Sequence, residues 1–219
     1  MSWKLFQPLV QACGYTVLIS AVAVSIGLAI GTGVSAAMLS GHKALSRAGR
    51  TFVSFFRGAP LLVQLLLIYN LLPTLGINVP SMVAAVIGLS LCTAAYQAEN
   101  LRGGFASVPR GLLEAAEMVG LSPFQQCSRI RAPITLRVTL PALINEAIMI
   151  LKASSPVSVV GVVGVVGVVE LTRMAQDLAA STFKPLQLLA AAGLIYLVVN
   201  LLVARGGAAL EKSFRWGKP

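Results

Sequence analysis

Between residues 5 and 42 the chain carries no formal charge, and this stretch limits what it can fold into more than any other. The apolar part of a removable secretory leader is only about 7–15 residues long, so the run reads as retained. It predicts a membrane-crossing helix over residues 15–39. About 20 residues of α-helix, each rising about 1.5 Å, cross the roughly 30 Å hydrocarbon core of a bilayer. Further apolar runs lie at 51–72, 81–100, 140–169 and 185–204. The expectation is an all-α integral membrane protein with a five-helix core, residues 1–219 forming one transmembrane domain. Composition agrees: mean hydropathy is +0.84, and only 11% of residues are charged, against about 25% in a soluble domain.

Lys and Arg outnumber Asp and Glu by 17 to 7. In a soluble chain that excess would suggest nucleic acid. Here the cations lie in the gaps between apolar runs, where topology accounts for them. Five spans put the termini on opposite sides. Assigning regions 41–57, 102–137 and the C-terminal tail to the cytoplasm collects 13 of the 17 basic residues there. The N-terminus is then external, and the C-terminus and the loop 102–137 are cytoplasmic.

Enzymatic chemistry finds no foothold. The one histidine, His42, and three cysteines, Cys13, Cys92 and Cys127, offer neither metal-ligand spacing nor a Ser-His triad. No Gly-x-x-x-x-Gly-Lys-Ser/Thr phosphate loop is present. No catalytic, metal or cofactor residue is assigned. Any ATP and Mg chemistry falls to a partner chain.

Several residues stand out at span depth. Gly27 and Gly31 form a small-xxx-small pair suited to close helix contact. Arg57 can reach back to the lipid head groups, and Pro60 predicts a kink or a helix start. Gln64 reads first as an interhelical hydrogen bond and second as a substrate contact. Glu99 and Arg102, three apart, read as an ion pair before a binding site. Glu146 and Lys152 each cost about 2.5–3.5 kcal/mol on insertion scales and mark either a site or pairing with other spans. Six apart, they stand about 120° around a helix and do not neutralise each other on one straight segment. In the valine run 159–169, Gly161, Gly164 and Gly167 recur every third residue and drift around a helix.

Residues 114–133 are a polar island between the third and fourth spans. Ala115, Ala116, Val119 and Gly120 share helical spacing and would show one small, shallow face. Ser122 is placed to cap a second helix that begins at Pro123. The expected form is a helix–turn–helix knob, with Gly120 permitting close approach of another protein.

This island resembles the cytoplasmic coupling loop of permease subunits of bacterial ATP-binding-cassette importers. That pattern runs Glu-Ala-Ala, three residues, Gly, nine residues, Ile, any residue, Leu-Pro. Glu114, Ala115, Ala116, Gly120, Ile130 and Pro133 match it, and Ala132 departs where Leu is usual. The resemblance extends over nearly the whole chain and is strongest to importers of polar amino acids of the histidine, glutamine, arginine and opine type. Phe56-Arg57-Gly58-Ala59-Pro60-Leu61-Leu62-Val63-Gln64 is similar to one of their segments. Another is matched by Pro141-Ala142-Leu143, Asn145, Glu146, Leu151, Lys152, Ser155, Val157 and Ser158. There Ala153 replaces a common Asp and Pro156 replaces an apolar helix former.

The resemblance implies a type I importer permease in the bacterial inner membrane. It implies a second permease subunit, identical or related, two ATPase subunits docked on the loop, an extracytoplasmic binding protein and an amino-acid substrate. Gln64, Glu99, Glu146, Lys152, Ala153 and Ser155 become candidates for the substrate pathway. Losing the Asp at Ala153 implies a non-cationic substrate, or a partner subunit that takes over substrate contact. Two rivals are an ion-gradient-driven secondary transporter, whose usual inverted repeats are not visible, and a non-transporting membrane scaffold.

Overall fold

The computed structural model describes residues 3–155 and 169–214. In chain order the helices are α1 (Trp3–Leu39), α2 (Lys43–Gly58), α3 (Leu61–Thr74), α4 (Ser81–Ala106), α5 (Arg110–Met118), α6 (Pro123–Gln126), α7 (Ala132–Ala153), α8 (Leu171–Thr182) and α9 (Pro185–Phe214). Among the described residues four helical runs are long and apolar enough to cross a membrane, and α2 with α3 makes a fifth if that bent pair is one span. The all-helical, membrane-spanning architecture expected from the apolar runs is therefore present.

The core is built on α4, against which α1 packs along its length. Ile19 and Ala23 of α1, Leu65 of α3, and Ala85 and Leu89 of α4 form one buried cluster. Gly27 and Gly31 are the reason α1 and α4 approach so closely. A Cβ on Gly31 would stand 2.8 Å from the carbonyl oxygen of Ala94, and one on Gly27 would meet the Thr93 side chain at 2.7 Å. The small-xxx-small pair is thus a true contact surface. Because the obstacle at Gly31 is backbone, no rotamer change relieves it. Gly31→Leu is expected to destabilise the bundle by roughly 1–3 kcal/mol through overpacking, while Gly33→Leu, with open space at its Cβ, leaves it unchanged. Thermal unfolding of the two detergent-solubilised variants checks the contrast.

The boundaries of the later spans differ from the sequence expectation. The second span is not one helix over 51–72. It breaks at Ala59-Pro60, where α2 and α3 meet at 109°. Pro60 has no N–H to donate and begins the second helix, as its position predicted. Residues 51–58 instead close α2, whose cations Lys43, Arg47, Arg50 and Arg57 recur at helical spacing on one face. At 14 residues, α3 alone reaches only about 21 Å and falls short of a full crossing.

The helix that carries the fourth apolar run starts well before Leu140. Helix runs without a gap from α6 through a π-helical segment, Cys127–Arg131, into α7. Pro133 does not stop it, because the π turn ahead already relaxes the hydrogen-bond ladder that its missing N–H would break, and Pro141 lies within α7 without ending it. The connection expected over 170–184 is mostly the helix α8, and the helix of the last apolar run continues past residue 204 to Phe214. Most of the valine–glycine run 159–169 lies outside the described residues.

Candidate functional site

The island forms the knob that its residues predict, and the hydrogen bonds explain its shape. α5 ends in a Schellman arrangement: Gly120 N–H donates to the Glu117 carbonyl at 2.9 Å, and Leu121 N–H to that of Ala116 at 3.0 Å. Gly120 adopts φ +76°, a left-handed conformation that glycine enters without penalty. A Cβ there would touch nothing within 4 Å inside the chain. Within the subunit, then, Gly120 is required by backbone geometry rather than by crowding.

The second arm restarts at once. The Ser122 hydroxyl accepts from Gln125 N–H, and the Gln125 side chain accepts from Ser122 N–H, a capping box with Pro123 in the first turn. Buried Gln126 donates to the Leu121 carbonyl at 3.0 Å and fastens the turn from beneath. Ala116 is buried at 4% exposure, so it anchors the knob and is not part of the outer face. Glu114 and Ala115 are exposed, Ile130 is half-buried, and Pro133 sits beside a cavity.

Sequence reading missed what covers the tip. Met118 is 89% exposed, Val119 76% and Phe124 80%. Val119 was placed by its spacing, but Met118 and Phe124 were not singled out. The signal was available: two large apolar side chains flank a capped turn in an otherwise polar segment. Exposed apolar side chains on either side of a hydrogen-bonded turn are what a protein-docking surface requires.

The pathway candidates separate into two groups. Gln64 and Glu99 lie by the α2–α3 break, while Glu146 is half-buried on α7. The Gln64 amide donates to the carbonyls of Phe56 and Ala59, at 2.8 and 2.7 Å, satisfying groups freed by Pro60. This is the structural role that sequence ranked first for it, although it joins the two arms of one break. Glu99 pairs with Arg102, Nε to Oε2 at 3.0 Å, as their spacing predicted. Both line a cleft of about 330 Å³ with Arg50 and Arg57. Arg57 does not simply reach for head groups: its guanidinium stands 5.2 Å from the centre of the Tyr96 ring. Lys152, Ala153 and Ser155 lie toward the other end of α7. Lys152 is exposed, Ala153 and Ser155 are half-buried, and Glu146 and Lys152 form no ion pair.

A polar node joins α1, α8 and α9, and the sequence did not mark it. Glu170 is fully buried. Its carboxylate caps α8 by accepting from Thr172 and Arg173 N–H at 2.9 and 2.8 Å, and it accepts from the Tyr196 hydroxyl at 2.8 Å. Burial raises its pKa, and those hydrogen bonds oppose the rise. Next to it, Leu171 N–H donates to Thr16 Oγ1 at 3.0 Å.

Comparison with known proteins places this geometry among transporters. Residues 29–216 match the family described as binding-protein-dependent transport system inner membrane component. The nopaline transport system permease protein NocM of Agrobacterium fabrum is 34% identical, over 91% of this chain and 85% of its own. The glutamine transport system permease protein GlnP of Escherichia coli is 30% identical, over 92% and 90%. Among solved structures, the crystal structure of an amino acid ABC transporter with histidines superposes with a TM-score of 0.86 at 31% identity, covering 96% of this chain and 95% of that one. The methionine transporter MetNI, in an inward-facing form, gives 0.79 at 18% identity over 99% and 100%, a likeness of fold alone.

Proposed function

Because the chain belongs to the binding-protein-dependent transport system inner membrane components, we propose that it moves a polar amino acid or an opine inward. Membership makes it a permease subunit of an ATP-binding-cassette importer, a multi-pass protein of the inner membrane that works with an ATPase, a binding protein and a permease partner. The finer reading is a dimer of permeases, this chain with itself or a homologue, driven by two ATPases. Each ATPase grips a knob at residues 114–133 on the cytoplasmic face. ATP and Mg are bound and used by those chains.

The observation that carries the coupling role is the hydrogen-bonded knob with Met118, Val119 and Phe124 exposed at its tip. Helix runs unbroken from its second arm to Ala153, so a push on the tip is delivered to α7 as rigid motion and opens or closes the pathway. The relatives named for nopaline and glutamine support the substrate class. So does the chemistry around the α2–α3 break. Arg50, Arg57 and Arg102 suit a carboxylate, and Glu99 in the same cleft suits an ammonium group; Glu146 is a further candidate on α7. Lys152, Ala153 and Ser155 would meet the substrate further along α7.

The test is to purify the tagged chain with its co-isolating subunits, reconstitute the complex and measure ATPase stimulation and uptake across a panel of amino acids and opines. A polar member of the panel is expected to stimulate both. Uptake that persists without any ATPase subunit would sink the proposal in favour of an ion-driven carrier. In the same assay Glu146→Gln is expected to weaken substrate affinity roughly tenfold, about 1.4 kcal/mol. Unchanged affinity in an intact complex removes Glu146 from the pathway.

A further inference from the structure

A cavity of about 790 Å³ opens between α1, α4 and α7, with Phe214 of α9 at its edge. Its walls are apolar, chiefly Leu28, Leu101, Phe105, Leu136 and Leu143. Three of its lining residues each carry a buried polar atom that has no hydrogen-bond partner among the described residues: Ser35 Oγ, Thr135 Oγ1 and Arg131 Nε. Ser35 and Thr135 are each only 1% exposed. Buried polar groups are rarely left unpaired, since each costs about 1–3 kcal/mol. Three such orphans in one cavity point to a ligand that supplies their partners.

The layout identifies its class. Arg131 lies at the end of the cavity nearest the C-termini of α1 and α4, its guanidinium 5.8 Å from the centre of the Phe105 ring. Leu28 lies at the deep end, eleven residues before Leu39 on α1. That is about 16 Å of helix, close to the roughly 15 Å hydrocarbon depth of one leaflet. One cation at the interface, two hydroxyls below it and an apolar slot beneath match a phosphate, a glycerol ester and an acyl chain in that order. We propose that this cavity holds one anionic phospholipid of the cytoplasmic leaflet. The lipid phosphate accepts from Arg131, its ester oxygens accept from Ser35 and Thr135, and one chain fills the slot. Arg131 is in the π-helical segment that joins the knob to α7, so the lipid braces the element through which ATPase motion enters the membrane.

The inference depends on the chain crossing a membrane and not on what it transports, so lipid binding and uptake are scored separately. The delipidated whole complex is titrated with phosphatidylglycerol or phosphatidylcholine and analysed by native mass spectrometry. Wild type is expected to retain phosphatidylglycerol at least tenfold more tightly. Arg131→Gln should abolish the preference, Ser35→Leu should fill the slot and reduce retention of both lipids, and Arg129→Gln, outside the cavity, should change neither. Absence of any preference in wild type overturns the proposal without recourse to variants. So does equal retention by a monodisperse Arg131→Gln complex, or a partner side chain found occupying the slot.

Discussion

Glu170→Ala is expected to unfold the α1–α8–α9 corner of the subunit at markedly lower temperature, with a loss of about 2–4 kcal/mol. The estimate follows from what the carboxylate holds. It caps α8 through two backbone N–H groups, a role that costs about 1 kcal/mol when lost. It also accepts from the Tyr196 hydroxyl, and leaving a buried donor unpaired costs about 1–3 kcal/mol more. The side chain is fully buried, so water does not replace it without a cavity opening. Beneath it, Leu9, Leu171, Ala175, Leu188 and Ala192 form a buried cluster from all three helices, which loosens if α8 lifts. Glu170→Gln keeps one acceptor and should lie between. Glu117→Ala, on the exposed knob, should melt with wild type. Thermal midpoints of the detergent-solubilised variants decide it: a Glu170→Ala midpoint equal to wild type would mean that the node is not what holds α8 in place.

Glu170 also shows where sequence reading stopped. A carboxylate next to an apolar run looks the same whether it faces solvent or caps a buried helix. Its meaning depends on Tyr196, 26 residues on, and on the neighbouring contact of Leu171 with Thr16, 155 residues back. Local features were legible for the opposite reason. The Pro60 break, the Ser122 cap and the Glu99–Arg102 pair each depend on residues within a single turn or break. Gly27 and Gly31 are only a weak sign of packing in the sequence, because small residues at that spacing are common by chance; the fold sets them against Thr93 and Ala94. Hydropathy located the spans but not their ends. It cannot tell an amphipathic helix that lies beside a span from the span itself, so α2 was divided and the start of the α7 run was placed too late. Met118 and Phe124 escaped because large apolar residues in a membrane protein are counted first as span material. Only the fold shows that they stand clear of it.

Gly120→Val is expected to lower the ratio of substrate moved to ATP hydrolysed by roughly tenfold, while the permease stays in the membrane with its partners. Gly120 sits at φ +76°, where a side chain costs about 1–2 kcal/mol and a β-branched one fits worst. Relieving that strain turns the chain out of the Schellman arrangement, so the exposed side chains on the two arms, Val119 and Phe124, no longer keep their relative placement. A series at this position separates two reasons for the glycine. If backbone conformation governs, asparagine, which tolerates the left-handed region, should couple better than alanine, giving the order Gly, Asn, Ala, Val. If close approach of the ATPase governs, size decides and alanine should outperform asparagine. The left-handed backbone at Gly120, φ +76°, favours the first order. Transport and hydrolysis measured side by side in proteoliposomes give the ranking. Finding alanine ahead of asparagine would move the constraint from this chain's backbone to its partner's surface.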